Sequence, residues 1–138
     1  MSKTIDESLY EVLNADPALA ALIGTGTAMR LYPVEAPPGA VLPLLIYQVI
    51  STDPQTTHAQ GTGDDARLDQ HRVELMAQAD TQLACAQILK AGTDALEAST
   101  TLKGMHIDER ALPRAEEAKS HGRSADYLCW NNPDAAAA

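Results

Sequence analysis

Hydrophobic positions along this chain follow two rhythms, one of period near four at the start and middle, and one of period two elsewhere. Ile5, Leu9, Val12 and Leu13 recur at helical spacing and predict a helix over residues 4–14, with Asp6 and Glu7 in its first turn where the dipole favours acids. Asp16-Pro17 then offers an N-cap followed by a proline at the first helical position. Residues 18–23 continue as a short helix turning Leu19, Leu22 and Ile23 inward, and Gly24 is a natural left-handed stop.

Extended segments follow. Residues 28–32 predict a short strand ended by Pro33, and residues 34–42, with two adjacent prolines and a glycine, predict an irregular loop. The run from Leu44 to Ile50 is apolar at both parities, so the strand predicted over 44–52 is expected to be central and covered on both faces. Residues 53–67 hold almost nothing to bury and read as a flexible arm. Residues 68–79 alternate cleanly: Val73, Leu75, Ala77 and Ala79 on one face, Arg72, Glu74, Met76 and Gln78 on the other. The two strands and the arm form a long hairpin.

Asp80 is the expected N-cap of the main helix, which runs to about Ser99. Its inward stripe is Leu83, Ala86, Leu89, Thr93 and Leu96, with Ile88 beside it. Gly92 falls inside this pattern, weakens it by about 1 kcal/mol relative to Ala and allows a bend. Residues 104–111 alternate again, a charged connector follows, and residues 123–131 predict the last strand with Ala125, Tyr127 and Cys129 on one face and Leu128 and Trp130 on the other. The result is an α+β fold: a mainly antiparallel β-sheet with one long helix packed on one face and an N-terminal helical segment. Residues 1–131 form one domain by length, and residues 132–138 a disordered tail.

Composition sharpens this picture at three points. Aromatics make up 4% of the 138 residues and Phe is absent, so the core must be built from Leu, Ile, Val and Ala. Each methyl removes little area from water, and a thin core leans on neighbouring subunits. The net charge of -9 (19 acids, 10 bases), with no Lys/Arg cluster, argues against a specific nucleic-acid binder; by itself it fits ordinary solubility at least as well as a channel wall along which DNA slides. Two distant cysteines, Cys85 and Cys129, read as free thiols; no signal peptide and no apolar run of about 20 residues is present, so a soluble cytosolic protein without a membrane partner is expected.

Candidate chemistry is sparse. Gly24-Thr-Gly-Thr27 lacks the Lys-Ser/Thr of a phosphate loop and reads as a turn. His58, His71, His106 and His121 have no metal-ligand spacing with each other or with the cysteines, and are expected on exposed strands or loops. No nucleophile elbow appears, Cys85 is expected as a small buried thiol, and Asp64-Asp65 and Glu116-Glu117 read as solvated loop charge. No catalytic, cofactor or metal residues are assigned. What remains is recognition: Asp53, Gln55, Thr57, His58, Gln60, Asp64, Asp65 and Arg67 of the arm are the candidate partner-binding residues, and the sheet edges are candidates for pairing with a neighbour.

The succession of segments carries a resemblance. Ala-Asp-Pro-Ala-Leu-Ala-Ala-Leu-Ile-Gly at 15–24, Arg-Leu-Tyr-Pro with its Ala-Pro-Pro-Gly-Ala loop at 30–40, Leu-Pro-Leu-Leu-Ile-Tyr-Gln-Val-Ile-Ser-Thr at 42–52, Arg-Val-Glu-Leu-Met-Ala-Gln-Ala at 72–79 and Arg-Ser-Ala-Asp-Tyr-Leu-Cys-Trp at 123–130 resemble the tail-completion, or tail-terminator, proteins of long-tailed bacteriophages and prophages. His71 departs from the simple alternation expected there. The resemblance implies a non-enzymatic subunit that forms a homo-oligomeric ring, a hexamer, on the head-proximal end of the tail tube. It would halt tube polymerisation and meet the head connector or stopper protein, with DNA only passing through the lumen. The protein would be found in the host cytoplasm during assembly, then at the head–tail junction of the virion. The alternatives are a head–tail adaptor or stopper ring and, from a different class, a small hydrolase or ligand-binding domain, for which the sequence offers no polar site.

Overall fold

The computed structural model describes residues 4–24, 29–55, 68–99, 102, 104–115 and 120–131. Helix α1 (Ile5–Asn14) opens on a reciprocal cap. The Thr4 hydroxyl accepts from the Glu7 amide at 3.2 Å, and the Glu7 carboxylate accepts from the Thr4 amide at 3.5 Å. Helix α2 (Pro17–Ile23) starts at Asp16, whose carboxylate accepts from the Leu19 amide at 2.9 Å, and ends at Gly24 with φ 100°, as expected of a glycine stop.

Strands β1 (Leu31–Pro33), β2 (Leu44–Gln55), β3 (Leu68–Ala79), β4 (Met105–Ala115) and β5 (Ser120–Asn131), with helix α3 (Gln82–Ala98) between β3 and β4, complete the element order. The sheet runs β1-β2-β3-β5-β4. Only β1, parallel to β2, breaks its antiparallel pattern. β2 extends three residues beyond the expected strand, β4 runs on through Pro113, and β5 begins at Ser120. The expected turn at Gly24-Thr-Gly-Thr27 falls largely outside the described residues, as do Glu116-Glu117 and residues 132–138.

One core lies between the sheet and the helices. Leu9 and Leu13 of α1, Leu19 and Ile23 of α2, and Ile88, Leu89 and Leu96 of α3 cluster with Leu45 and Tyr47 of β2, Val73, Leu75 and Ala77 of β3, and Ala125, Tyr127 and Cys129 of β5. These strand positions share one parity, so the period-two expectation for β3 and β5 holds residue by residue.

Two expectations for α3 fail. Its N-cap is Thr81, not Asp80: Thr81 has the extended backbone of a cap and its hydroxyl accepts from the Ala84 amide at 3.1 Å. Leu83 is not in the inward stripe but 69% exposed. The stripe is Cys85, Ile88, Leu89, Gly92 and Leu96, and at about 100° per residue Leu83 lies on the far side from Cys85. Ala86 and Thr93 are half-buried. At Gly92 the helix continues unbroken, and the glycine serves close approach instead: a Cβ there would stand 2.9 Å from Leu75 Cδ1.

His71 corrects a third expectation. Its parity places it on the helix side of β3, where it is 3% exposed instead of solvated, and its Nδ1 lies 2.9 Å from the Thr52 hydroxyl across the β2–β3 ladder. A buried imidazole is tolerated on a core face when a cross-strand partner meets its ring nitrogen. His106 is exposed and His121 half-buried; His58 lies outside the described residues.

Candidate interaction surfaces of the sheet

Of the residues expected to bind a partner, Asp53 and Gln55 lie in the last turn-ward part of β2, in register with Gln70 and Leu68 of β3. Thr57, His58, Gln60, Asp64, Asp65 and Arg67 lie outside the described residues. The ladder therefore carries both roots of the arm as far as the Gln55–Leu68 pair and aims them from one end of the sheet.

Opposite the helices, the sheet face is organised by charge. Asp126 of β5, 3% exposed, accepts from Arg72 Nη2 of β3 at 2.7 Å, and Arg110 of β4 approaches the same oxygen at 3.9 Å. Arg110 also reaches Glu74 at 3.3 Å and Asp108 at 3.5 Å, while Gln48 of β2 donates to Glu74 at 3.1 Å. The network ties four strands into one register: Gln48 stands opposite Glu74, Arg72 and Arg110 stand diagonal to Asp126, and Arg110 reaches across β5 to Glu74. Hydrogen bonding and attraction from Asp126 raise the already high pKa of Arg72.

At the other end of this face the loop of residues 34–42 overlies the sheet and leaves an open pocket of about 620 Å³. Leu44, Ile46, Met76, Gln78 and Ser120 contribute to its sheet side. This loop accounts for the two-sided apolar pattern of β2: Leu45 and Tyr47 face the helices, while Leu44 and Ile46 are buried beneath the loop. Val34 has φ 65°, and the Glu35 amide donates to the Pro33 carbonyl at 2.7 Å, which makes Val34 the centre of a γ-turn of the rare hand. A β-branched residue in that conformation costs on the order of 1–3 kcal/mol and persists only where neighbours fix it. Here the Val34 amide donates to the Tyr47 carbonyl at 2.9 Å, and Arg30 Nε donates to the Pro43 carbonyl at 2.7 Å. The Val34 side chain is left 66% exposed at the pocket lip.

The two outermost strands are both blunt, although β1 covers only Leu45–Tyr47 and leaves residues 48–55 of β2 without a strand neighbour on that side among the described residues. β1 has three residues and ends in Pro33. β4 is long, but its register slips between His106 and Asp108 and again between Leu112 and Ala115, and it carries Pro113 and charged side chains. These features discourage open-ended strand addition. Ile107, at the first slip, is nonetheless 41% exposed, and Met105 just before it 45%.

The thiols sit in the core. Burial pushes the Cys129 thiol up to about 12 and raises that of Cys85, whose Sγ lies 3.3 Å from the His121 carbonyl. A thiol held protonated is a poor nucleophile. Tyr127, raised mainly by burial, shares a 2.6 Å hydrogen bond with Thr93. Among the described residues no group of three or more His, Cys, Asp and Glu side chains is placed to hold a metal, and no helix is long and apolar enough to cross a membrane.

The 34–42 pocket and the charge network were not anticipated as surfaces. The doubly apolar β2 signalled that something covers its second face, but not which segment. The ion pairs join residues up to 54 positions apart, a pairing that becomes visible only once the β3–β5 register is known.

The described residues thus form a five-stranded sheet covered on one face by helices, with a charge-laced opposite face and a pocket beneath the 34–42 loop. The family model described as tail completion protein gp17 matches residues 7–123, and the chain belongs to that family of phage tail completion proteins. No curated protein matches the chain in sequence. Among solved structures, it is similar to a chain in the virion of a native gene transfer agent particle, with TM-score 0.62 and 22% identity over 91% of this chain and 92% of that one. That likeness shows a shared fold.

Proposed function

We propose that the protein is a non-enzymatic ring subunit that caps the head-proximal end of the phage tail tube, stops its polymerisation and joins the tail to the head connector. The observation that carries this reading is the family match over residues 7–123. The interrupted edge strand β4 supports it, since a subunit that must stop an assembly gains from an edge that does not template an open-ended one. The arm of residues 53–67 engages the tube or the connector; the β2–β3 ladder supports this by bringing its two ends together at the Gln55–Leu68 pair at one end of the sheet. The ring is a hexamer with an acidic lumen, in keeping with the net charge of -9, and DNA passes through it without specific contacts. It works in the host cytoplasm during assembly and at the head–tail junction of the finished particle.

Electron microscopy of lysates from phage lacking this gene tests the proposal. Overlong, headless tails beside DNA-filled heads are expected. Normal tails with empty or leaking heads would instead assign the protein to the adaptor or stopper of the head, and intact infectious particles would remove it from assembly.

A further inference from the structure

The pocket under the 34–42 loop and the exposed Ile107 of β4 lie toward opposite edges of the same sheet. We infer that they are the two halves of one contact between copies of this chain: Ile107 of one subunit enters the pocket of the next. The inference rests on the ring proposed above and names the side chains that would build it.

Three observations favour a second copy as the occupant. The pocket has an apolar floor in Leu44, Ile46 and Met76, it is open, and the Val34 turn fixes the loop above it, so it is preformed for an aliphatic side chain. Ile107 is such a side chain, left partly exposed by the slip in the β4–β5 register, in the chain's own opposite edge region. The levels also agree. Ile107 falls between the pairs His106–Tyr127 and Asp108–Asp126; Asp126 pairs with Glu74, and Met76 of the pocket floor is two residues further along β3. The offset along the strands is therefore about 7 Å, small enough for subunits placed side by side. Because knob and socket are different patches, each added copy leaves one of each open until a ring closes. The register slips and Pro113 of β4 leave this joint to side chains.

Two tagged copies, one Ala40→Cys and the other Ile107→Cys, coexpressed with the phage tail genes, test the contact. Ala40 lines the pocket, and Cys85 and Cys129 are buried, so the background is low. A short bis-maleimide applied to the purified tails should link the two tagged copies to each other and should link neither variant to itself when expressed alone. Ile107→Asp should remain folded and lose self-association. Tails that carry self-associated copies without the mixed product overturn this contact and leave the ring standing. So does Ala40→Cys linking to itself or to a different tail protein. Copies that never associate with one another on tails overturn the ring reading and this contact together.

Discussion

The two faces of the β3–β5 pair are made from the same strands at alternate residues, yet they are held by different physics. On the helix side, Val73, Leu75, Ala77, Ala125, Tyr127 and Cys129 are fully removed from water beneath α3. On the other side, Arg72, Glu74 and Asp126 meet Arg110 and Gln48 in a network whose arginines remain half-exposed. Burial is non-directional and scales with area, so the first face supplies stability and tolerates little loss of volume. Ion pairs at half-exposed sites add little energy but demand particular partners, so the second face supplies register. A subunit that must present a defined surface to neighbours needs both.

The largest effect that separates the faces is expected from truncation. Leu89→Ala, at a fully buried site in α3, should cost about 2–5 kcal/mol in urea unfolding, whereas Met76→Ala on the opposite face, at a half-buried site by the pocket, should cost well under half as much. Equal losses would mean that the open face is a second core.

Alkaline pH probes the helix-side face next. The Cys129 thiol, pushed from its ordinary 9.0 up to about 12 by burial, stays protonated in the folded chain while the unfolded chain begins to ionise near pH 9. The unfolded state therefore loses its proton first. This contribution is complete below pH 9 and is lost as pH rises towards about 12, amounting to roughly 2 kcal/mol by pH 10.5. Unfolding of wild type and Cys129→Ala at pH 8 and pH 10.5 checks this: the variant should lose less on going to the higher pH, and an equal loss would show that the thiol is not held protonated.

The same division explains what was legible in the sequence. The helix-side face could be read because burial imposes period two on β3 and β5, and Leu9, Leu13, Leu19 and Ile23 carry the matching helical period. The start of α3 is ambiguous in sequence because Asp80 and Thr81 are both capping residues, and its inward stripe is ambiguous because Leu83 and Cys85, about 200° apart, are both apolar. His71 is polar by type, but its parity on β3 places it on the buried helix side beside Thr52, and parity wins. β1 pairing in parallel with β2, the loop over Leu44 and Ile46, and the Arg72–Asp126 pair all depend on contacts between distant segments. Of the arm residues proposed to bind a partner, the structure places Asp53 and Gln55 in the β2 ladder, and the other six lie outside the described residues.

Gly92 gives a finer test of how tightly the helix face is packed. Alanine there gains up to about 1 kcal/mol of helix propensity, but its Cβ would stand 2.9 Å from Cδ1 of Leu75, a side chain with no exposed surface into which to retreat. The clash should win, with a net loss of about 1 kcal/mol. Leu75→Val in the same chain should make the Gly92→Ala change less costly than it is alone, a coupling that a double-mutant cycle measures directly. If Gly92→Ala is stabilising by itself, α3 has room to lift from β3 and the core is looser than its burial implies.

The smallest effect is expected at Asp126, and it bears most directly on the open face. One carboxylate oxygen receives Arg72, while the other is buried without a partner among the described residues. Asn at this position keeps an acceptor for Arg72 and removes a charge that was only half-compensated in hydrogen bonds. Arg72 and Arg110, half-exposed, can turn to water. Asp126→Asn should therefore lower stability by less than about 1 kcal/mol while loosening the register of β4. Faster amide hydrogen exchange in residues 108–112, with little change in β3, would locate the loss on that strand. A global loss comparable to that of Leu89→Ala would break the comparison, because the charged face would then be holding the fold together and not merely aligning its strands.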